Sequence, residues 1–435
     1  MSVSDTAIPG TRQAKESRAT AWGFTGLLVV LTIVNWADKA ILGIVAQPLS
    51  EEFGLSASQI GMAGSLFFLA FAIASWFSGF LNKWLSLRWG LGLLALCWAV
   101  SMVPMLVVPT FGVLLVSRVL LGLSEGPTGA LVFSALYSWH PPEKRGLPSA
   151  SLNVGTTVAQ VSVAPVMVLM VAAWGWRAAF LLLAVVGLAW SILWLLVWRG
   201  GPYYRENRPE AASDQAADAV PTDKATWIKI FTSRTFLGAT AAVIAMYVLL
   251  SVIVTWLPSY FEVGLGYTRK QAGLMIGLPS LASLIFALLS TFAGDRMLGR
   301  GTSSRVARGV MPGAGLLVAG LAFAVLPYVG APALAVAVVS MGYGLASIVL
   351  PNYLAAMSQL CPPQYLAGAL GCFMGAMYLG GLVGPLLTGA IVDSFGDPAA
   401  GYAFAFQIFG VMALVASIAA LLMVNPERDA AHVTG

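Results

Sequence analysis

Twelve separate stretches of this 435-residue chain are each apolar enough and long enough to cross a lipid bilayer, and no water-soluble core could absorb them all. A spanning helix needs about 20 mostly apolar residues. Such stretches lie near 22–45, 59–80, 90–108, 111–138, 147–172 and 178–198. A second set lies near 236–260, 271–293, 309–328, 332–356, 366–392 and 401–424. Little remains to coat a soluble surface, since 9% of residues are charged against about a quarter in ordinary soluble domains. Mean hydropathy is +0.85. The expected fold class is all-α integral membrane with twelve transmembrane helices.

The basic residues test this layout, because Lys and Arg accumulate in cytoplasmic loops. With the N-terminus inside, eighteen of the 23 fall in cytoplasmic loops and tails, Arg12, Lys83, Arg88, Lys144, Arg145, Arg305, Arg308 and Arg428 among them. Only Arg177, Arg269 and Lys270 fall outside, and Lys39 and Arg118 lie within spans. A miscounted span would scramble this alternation. The reading is a multi-pass protein of the plasma membrane, the inner membrane if bacterial, with both termini cytoplasmic. The net charge of +5 then reflects topology and contact with anionic lipid, not nucleic-acid binding. Residues 1–21 read as a cytoplasmic tail, because they lack the apolar core and cleavage site of a signal peptide.

The stretch 199–235 interrupts the pattern with eleven charged residues and the centre PEAASDQAADAVPTD, which reads as a linker. It divides the chain into an N-terminal six-helix bundle, 22–198, and a C-terminal one, 236–424, followed by a tail at 425–435. TWIKIF (Thr226 to Phe231) fits a short interfacial segment or an ordinary linker end. The halves repeat each other. In each, an outer loop leads to a Gln and a helix rich in small residues, Gln59 with Gly61 and Gln271 with Gly273. About two dozen residues later comes a cytoplasmic turn, Asn82-Lys83 or Asp295-Arg296. Such repetition marks duplicated transporter bundles with a substrate site between the halves.

Other chemistry is scarce. Cys97, Cys361 and Cys372 are far apart in or beside apolar stretches, which fits buried structural thiols, and His140 and His432 fall in a loop and a tail. No metal-ligand spacing, nucleophile–base pair or phosphate loop suggests an enzyme, and no cofactor is expected.

The chain resembles the major facilitator superfamily over essentially its whole length, which implies two pseudo-symmetric six-helix bundles. The family's cytoplasmic latch loops correspond here to GFLNKWLSLRWG, with Gly79, Lys83 and Arg88, and to GDRMLGRG, with Gly294, Asp295, Arg296 and Arg300. Asn82 stands where an Asp is usual, leaving a neutral hydrogen bond in place of a charge-assisted one. More narrowly, NWADKAILGI in the first span, SRVLLGLSEGPTGA in the fourth and Trp256-Leu257-Pro258 in the seventh resemble the anion:cation symporter branch. Lys39 departs from the Arg common there. It offers a compact point charge in place of a bidentate fork.

Four ionisable residues fall within spans: Asp38, Lys39, Arg118 and Glu125. Each costs roughly 2.5–3.5 kcal/mol at the centre of a spanning helix, so they must face one another or a water-filled cavity. Arg118 and Glu125, seven residues apart, share one helix face with Gly122. Asp38 and Lys39 point about 100° apart, so Asp38 is expected to meet Arg118 while Lys39 turns to the cavity. In this reading Lys39 receives an anionic substrate, Asp38 and Glu125 carry a coupling proton, and Arg118 pairs with whichever acid is ionised. Asn35, Gln160, Tyr247, Asn352 and Tyr378 are further candidates for substrate contact, with Asn352 favoured because Pro351 is expected to open its helix. The expected partners are a small organic monoanion such as a sugar acid or aromatic acid, protons and membrane lipid, with the chain working as a monomer. A drug/proton antiporter and a transporter-like anion sensor are the rivals, and Ala164-Pro165 in the fifth span lacks the Gly-rich signature of such antiporters.

Overall fold

A computed structural model describes residues 18–77, 85–141, 144–203 and 223–434. Among them there is no strand, and twelve helices are long and apolar enough to cross a membrane. The first six are α1 (Arg18–Phe53), α2 (Ala57–Trp76), α3 (Leu87–Val107), α4 (Phe111–Trp139), α5 (Gly146–Trp174) and α6 (Trp176–Val197). The second six are α7 (Arg234–Gly264), α8 (Arg269–Gly299), α9 (Val306–Tyr328), α10 (Pro332–Leu360), α11 (Gln364–Ser394) and α12 (Pro398–Met423). An even number of spans puts both chain ends at one face, called here the terminal end. Arg177, Arg269 and Lys270 lie at the opposite end.

The repeat has a physical basis in how the helices start and break. Ser56 and Gln59 form a capping box at the head of α2, and Thr268 and Gln271 form the same box at the head of α8. In each the side-chain oxygen takes the N3 amide while the Gln returns to the N-cap amide, so two orphan donors are satisfied locally. The matching glutamines in the sequence are therefore helix caps. α4 and α10 are matched more closely still. Each is a 15-residue helix, a two-residue break and a 12-residue helix: Phe111–Glu125 with Thr128–Trp139, and Pro332–Ala346 with Val349–Leu360.

The halves meet where α2 lies along α11, α1 crosses α7, and α5 crosses α8. Glycines make these approaches possible. Gly61 and Gly389 bring the α2 and α11 backbones together, and a Cβ on either would collide with the facing carbonyl. At the end opposite the termini the seam is also polar. The Asp393 carboxylate of α11 accepts from the Ala57 and Ser58 amides of α2 at 2.9 and 2.8 Å, and Arg269 joins Glu51 of α1 to Glu262 of α7 at 2.9 and 3.0 Å.

At the terminal end two short helices flank the second half. Lys224–Thr232 contains the TWIKIF segment and packs Trp227 against Tyr365 and Gly368. Pro426–Thr434 occupies what the sequence suggested was a free tail. It works as a staple. Glu427 accepts from the Ser304 amide before α9, Asp429 from the Thr235 amide at the head of α7 (2.7 Å), and Arg428 donates to the Met423 carbonyl ending α12. Acids at helix starts and a base at a helix end complement the backbone dipoles. α1 begins at Arg18, inside the stretch expected to be tail. The cysteines depart from expectation as well. Cys361 is buried, but Cys97 and Cys372 are exposed, Cys372 on the wall of a cavity between the halves.

Replacing Asp429 by Ala is expected to cost about 1 kcal/mol, as for a lost helix cap, and to lower the melting temperature of the detergent-solubilised protein. Burial alone would raise the Asp429 carboxyl, but hydrogen bonds from Arg428 and Thr235 outweigh it and hold the group below its usual value. The cap is therefore complete at neutral pH and is lost only in acid, as pH falls through that lowered value. A melting temperature unchanged by D429A would refute the staple.

Candidate functional site

A cavity of about 1020 Å³ opens between the halves toward the terminal end. Its walls come from the middle of α1, the end of α2, the second half of α4, the start of α5, and the first half of α11. The break in α4 shapes its floor. Pro127 removes one amide from the helical ladder, and the helix restarts at Thr128. Gly122 before the break and Gly126 within it let α4 press onto the α2 backbone, where a Cβ on Gly126 would lie 2.5 Å from the Phe71 carbonyl oxygen. Ser75 of α2 donates to the Gly126 carbonyl at 3.0 Å. Glu125 is thereby fixed at the last helical position before the break, facing α1.

Across from it stands Lys39, whose ammonium lies 3.3 Å from Glu125 Oε2. Both residues line the cavity, the Lys39 side chain 16% exposed and that of Glu125 fully buried. Lys39 also donates to the Asn35 amide oxygen one turn earlier on α1 and stands 4.9 Å from the Phe71 ring centroid. The contact to Glu125 is an ion pair without hydrogen-bond alignment, and neither Glu125 oxygen has a hydrogen-bond partner. Such a carboxylate depends on Lys39 for its compensation.

Behind this pair, Asp38 and Arg118 are buried at 2% and 1% exposure. Arg118 does approach Asp38, but through the backbone: Nη1 donates to the Asp38 carbonyl at 3.3 Å. Its Nε and Nη2 have no partner, and its guanidinium lies 5.8 Å from the Phe180 ring of α6. The buried set thus holds two acids and two bases on α1 and α4, of which Lys39 and Glu125 line the cavity.

The remaining candidates separate. Asn35 and Tyr378 line the cavity with Lys39. Tyr247 stands one layer behind, edge-on to Tyr378 and Phe68 at 5.3 and 5.8 Å. Gln160 is elsewhere, in a small pocket with Trp36 and Tyr343 on the other side of the α1–α5 contact. Asn352 does not reach the cavity either. Its amide donates to the Ile348 carbonyl at 2.8 Å and to Ser290 at 3.3 Å, because α10 opens at Ser347–Ile348 and not at Pro351. Of the latch residues, Gly79, Asn82 and Lys83 lie outside the described residues. Arg88 stays within its own half, donating to the Leu195 carbonyl of α6 at 2.9 and 2.5 Å. Gly294 is buried beside Asn352, and no ion pair is made by Asp295, Arg296 or Arg300 among the described residues. No group of His, Cys, Asp or Glu among the described residues could hold a metal ion.

Several lining residues were not anticipated: Phe71 and Trp76 of α2, Phe133 of α4, and Gly368, Gly371 and Gly375 of α11. The glycines are spaced three and four apart, so they share a face. That spacing is the one signal the sequence offered for them.

Two mutational outcomes follow. Replacing Lys39 by Met strands a buried carboxylate and should destabilise the protein by about 3–5 kcal/mol; adding Glu125→Gln should restore most of the loss in the same melting assay. Asp393→Ala removes two amide acceptors at the closed end, so solvent accessibility of a cysteine introduced at Gln59 should rise. Unchanged labelling would exclude Asp393 as part of that closure.

The model of the Major Facilitator Superfamily matches residues 28–349 and 302–435. Among curated proteins, a hexuronate transporter of Bacillus subtilis is 25% identical over 92% of this chain and 93% of its own length. A probable sulfoacetate transporter of Cupriavidus necator is 27% identical over 92% and 93%. Among solved structures, an inward-facing, unoccupied bacterial homolog of the lysosomal transporter Spinster superposes with a TM-score of 0.79 at 16% identity, covering 95% of this chain and 99% of that one. A D-xylose–proton symporter gives 0.76 at 17% identity, covering 94% and 99%. The two six-helix halves, the cavity between them and the matched model all point the same way: the chain is a multi-pass membrane transporter that belongs to the Major Facilitator Superfamily.

Proposed function

We propose that this protein carries a small organic monoanion together with a proton by alternating access, with both termini in the cytoplasm and the cavity in its inward-open form. The observation that carries the reading is Lys39, a cation on the cavity wall whose counter-charge, the buried Glu125 carboxylate, lies 3.3 Å away on the same wall. The named substrates of relatives support an anion: hexuronate, sulfoacetate, and galactarate or D-glucarate for a probable transporter of Bacillus subtilis that is 25% identical.

Charge balance supplies the coupling. In the empty cavity Lys39 is neutralised by Glu125, and Arg118 with Asp38 adds no net charge. An entering carboxylate takes the Lys39 ammonium and leaves Glu125 without a partner. A proton on Glu125 restores neutrality, so one monoanion and one proton enter as a neutral pair. Passage through the occluded state then exposes no net charge to hydrocarbon. The halves rock about the α2–α11 and α5–α8 contacts, the Asp393 and Arg269 contacts parting as the outer end opens.

Uptake into proteoliposomes should follow an imposed pH gradient with the membrane potential clamped, and a potential alone should drive none. Glu125→Gln should keep anion exchange between the two sides and lose accumulation by at least tenfold. If Glu125→Gln still accumulates substrate with the pH gradient, the coupling role passes to another group.

A further inference from the structure

A second cavity, of about 430 Å³, opens at the terminal end of the second half and is separate from the one between the halves. Three elements converge on it: the last turn of the short helix Lys224–Thr232, the head of α7 and the terminal helix Pro426–Thr434. Its charged lining is Lys229, Arg234, Arg428, Asp429 and His432. With the histidine neutral, three cations face one carboxylate.

That carboxylate is already committed. Asp429 accepts from the Thr235 amide at 2.7 Å and from Arg428 Nε at 2.6 Å, so it neutralises Arg428. Lys229 and Arg234 are left over. Both are exposed, and among the described residues neither makes an ion pair. The acids closest in sequence are engaged elsewhere: Asp223 caps the far end of its own helix, and Glu427 holds the Ser304 amide. The hydroxyls donate away from the cavity, Thr232 to the Ile228 carbonyl at 2.6 Å and Ser233 to that of Ile230 at 2.7 Å. Two uncompensated cations therefore dominate the site, and they suit a phosphate oxyanion.

The border of the cavity says what that phosphate is attached to. Leu237, one turn beyond Arg234, is 48% exposed, and Leu422 in the last turn of α12 is 71% exposed. Gly238 packs the head of α7 onto Met423 at the end of α12, so these two leucines flank one seam on the outside of the bundle. Ile228, beside Lys229, is 62% exposed as well. Exposed apolar side chains on spanning helices face acyl chains, and cations at the ends of those helices stand at headgroup depth. A soluble anion gains nothing from such a border. A phospholipid uses both parts.

We propose that this cavity holds the headgroup of an anionic phospholipid, its phosphodiester on Lys229 and Arg234 and its acyl chains along Leu237 and Leu422. The terminal helix that walls the cavity also ties the heads of α7 and α9 to the end of α12, so the bound lipid reinforces that junction. The inference does not rest on the transported substrate.

Native mass spectrometry of the purified full chain in detergent, titrated with phosphatidylglycerol or phosphatidylcholine, reads the proposal directly. Phosphatidylglycerol should bind about tenfold more tightly, and Lys229→Gln with Arg234→Gln should remove about that advantage. The lipid-free melting temperature should not change in this double variant, because neither side chain is paired in the fold. Arg18→Gln with Lys144→Gln, which removes two exposed cations at the terminal end of the first half, should leave the affinity unchanged. Equal affinity for the two lipids, or no loss in the Lys229/Arg234 variant, would overturn the site. An equal loss in the Arg18/Lys144 variant would replace it with diffuse attraction. Inorganic phosphate displacing the lipid at matched concentration would refute the lipid and make this a site for a soluble anion.

Discussion

A hydrocarbon interior does not solvate charge, and the arrangement of this protein follows from how it meets that restriction. Lys39 and Glu125 are 3.3 Å apart at the boundary between packed helices and cavity. Each is tolerable because the other is there. The helix break at Gly126–Pro127 and the glycine contacts to α2 fix the carboxylate at this depth, while Asn35 and Phe71 fix the ammonium. In the proposed cycle the pair is balanced when the cavity is empty and becomes unbalanced when an anion arrives, which would make it a coupling element more than a structural tie. A buried pair is a weak source of stability, and this one lacks even good hydrogen-bond geometry.

The backbone follows a companion rule: every amide at depth needs an acceptor. Most find one inside their own helix. Where helices start or break, acceptors come from capping boxes, from the carboxylates of the terminal helix and, across the seam, from Asp393.

The spans were legible in the sequence because apolar length alone reports them, and the four buried charges because they violate that rule. The repeat was legible through Gln59 and Gln271, although their role as caps was not. What the sequence could not supply was helix rotation. Gln160 and Asn352 looked like site residues because they are polar within spans, yet one turns to a small separate pocket and the other folds back onto its own helix. Phe71, Trp76 and the α11 glycines carried no signal of their own and line the cavity. Which face of a uniformly apolar helix meets the cavity is settled by its neighbours, and hydrophobic periodicity is silent when lipid, core and cavity walls share one composition.

The head of α2 carries one further consequence. Four amides emerge there: Ser56 and Gln59 satisfy two within their own capping box, and Asp393 of the other half takes the remaining two, those of Ala57 and Ser58. The division is between bonds that travel with the helix and bonds that are borrowed across the seam. When the halves separate, only the borrowed pair is surrendered, at an edge where water can replace Asp393 at once. The closure at this helix head is thus reversible by the nature of its parts: the carboxylate of one half holds two amides of the other while the halves are together, and neither amide is stranded in a dry interior when they part.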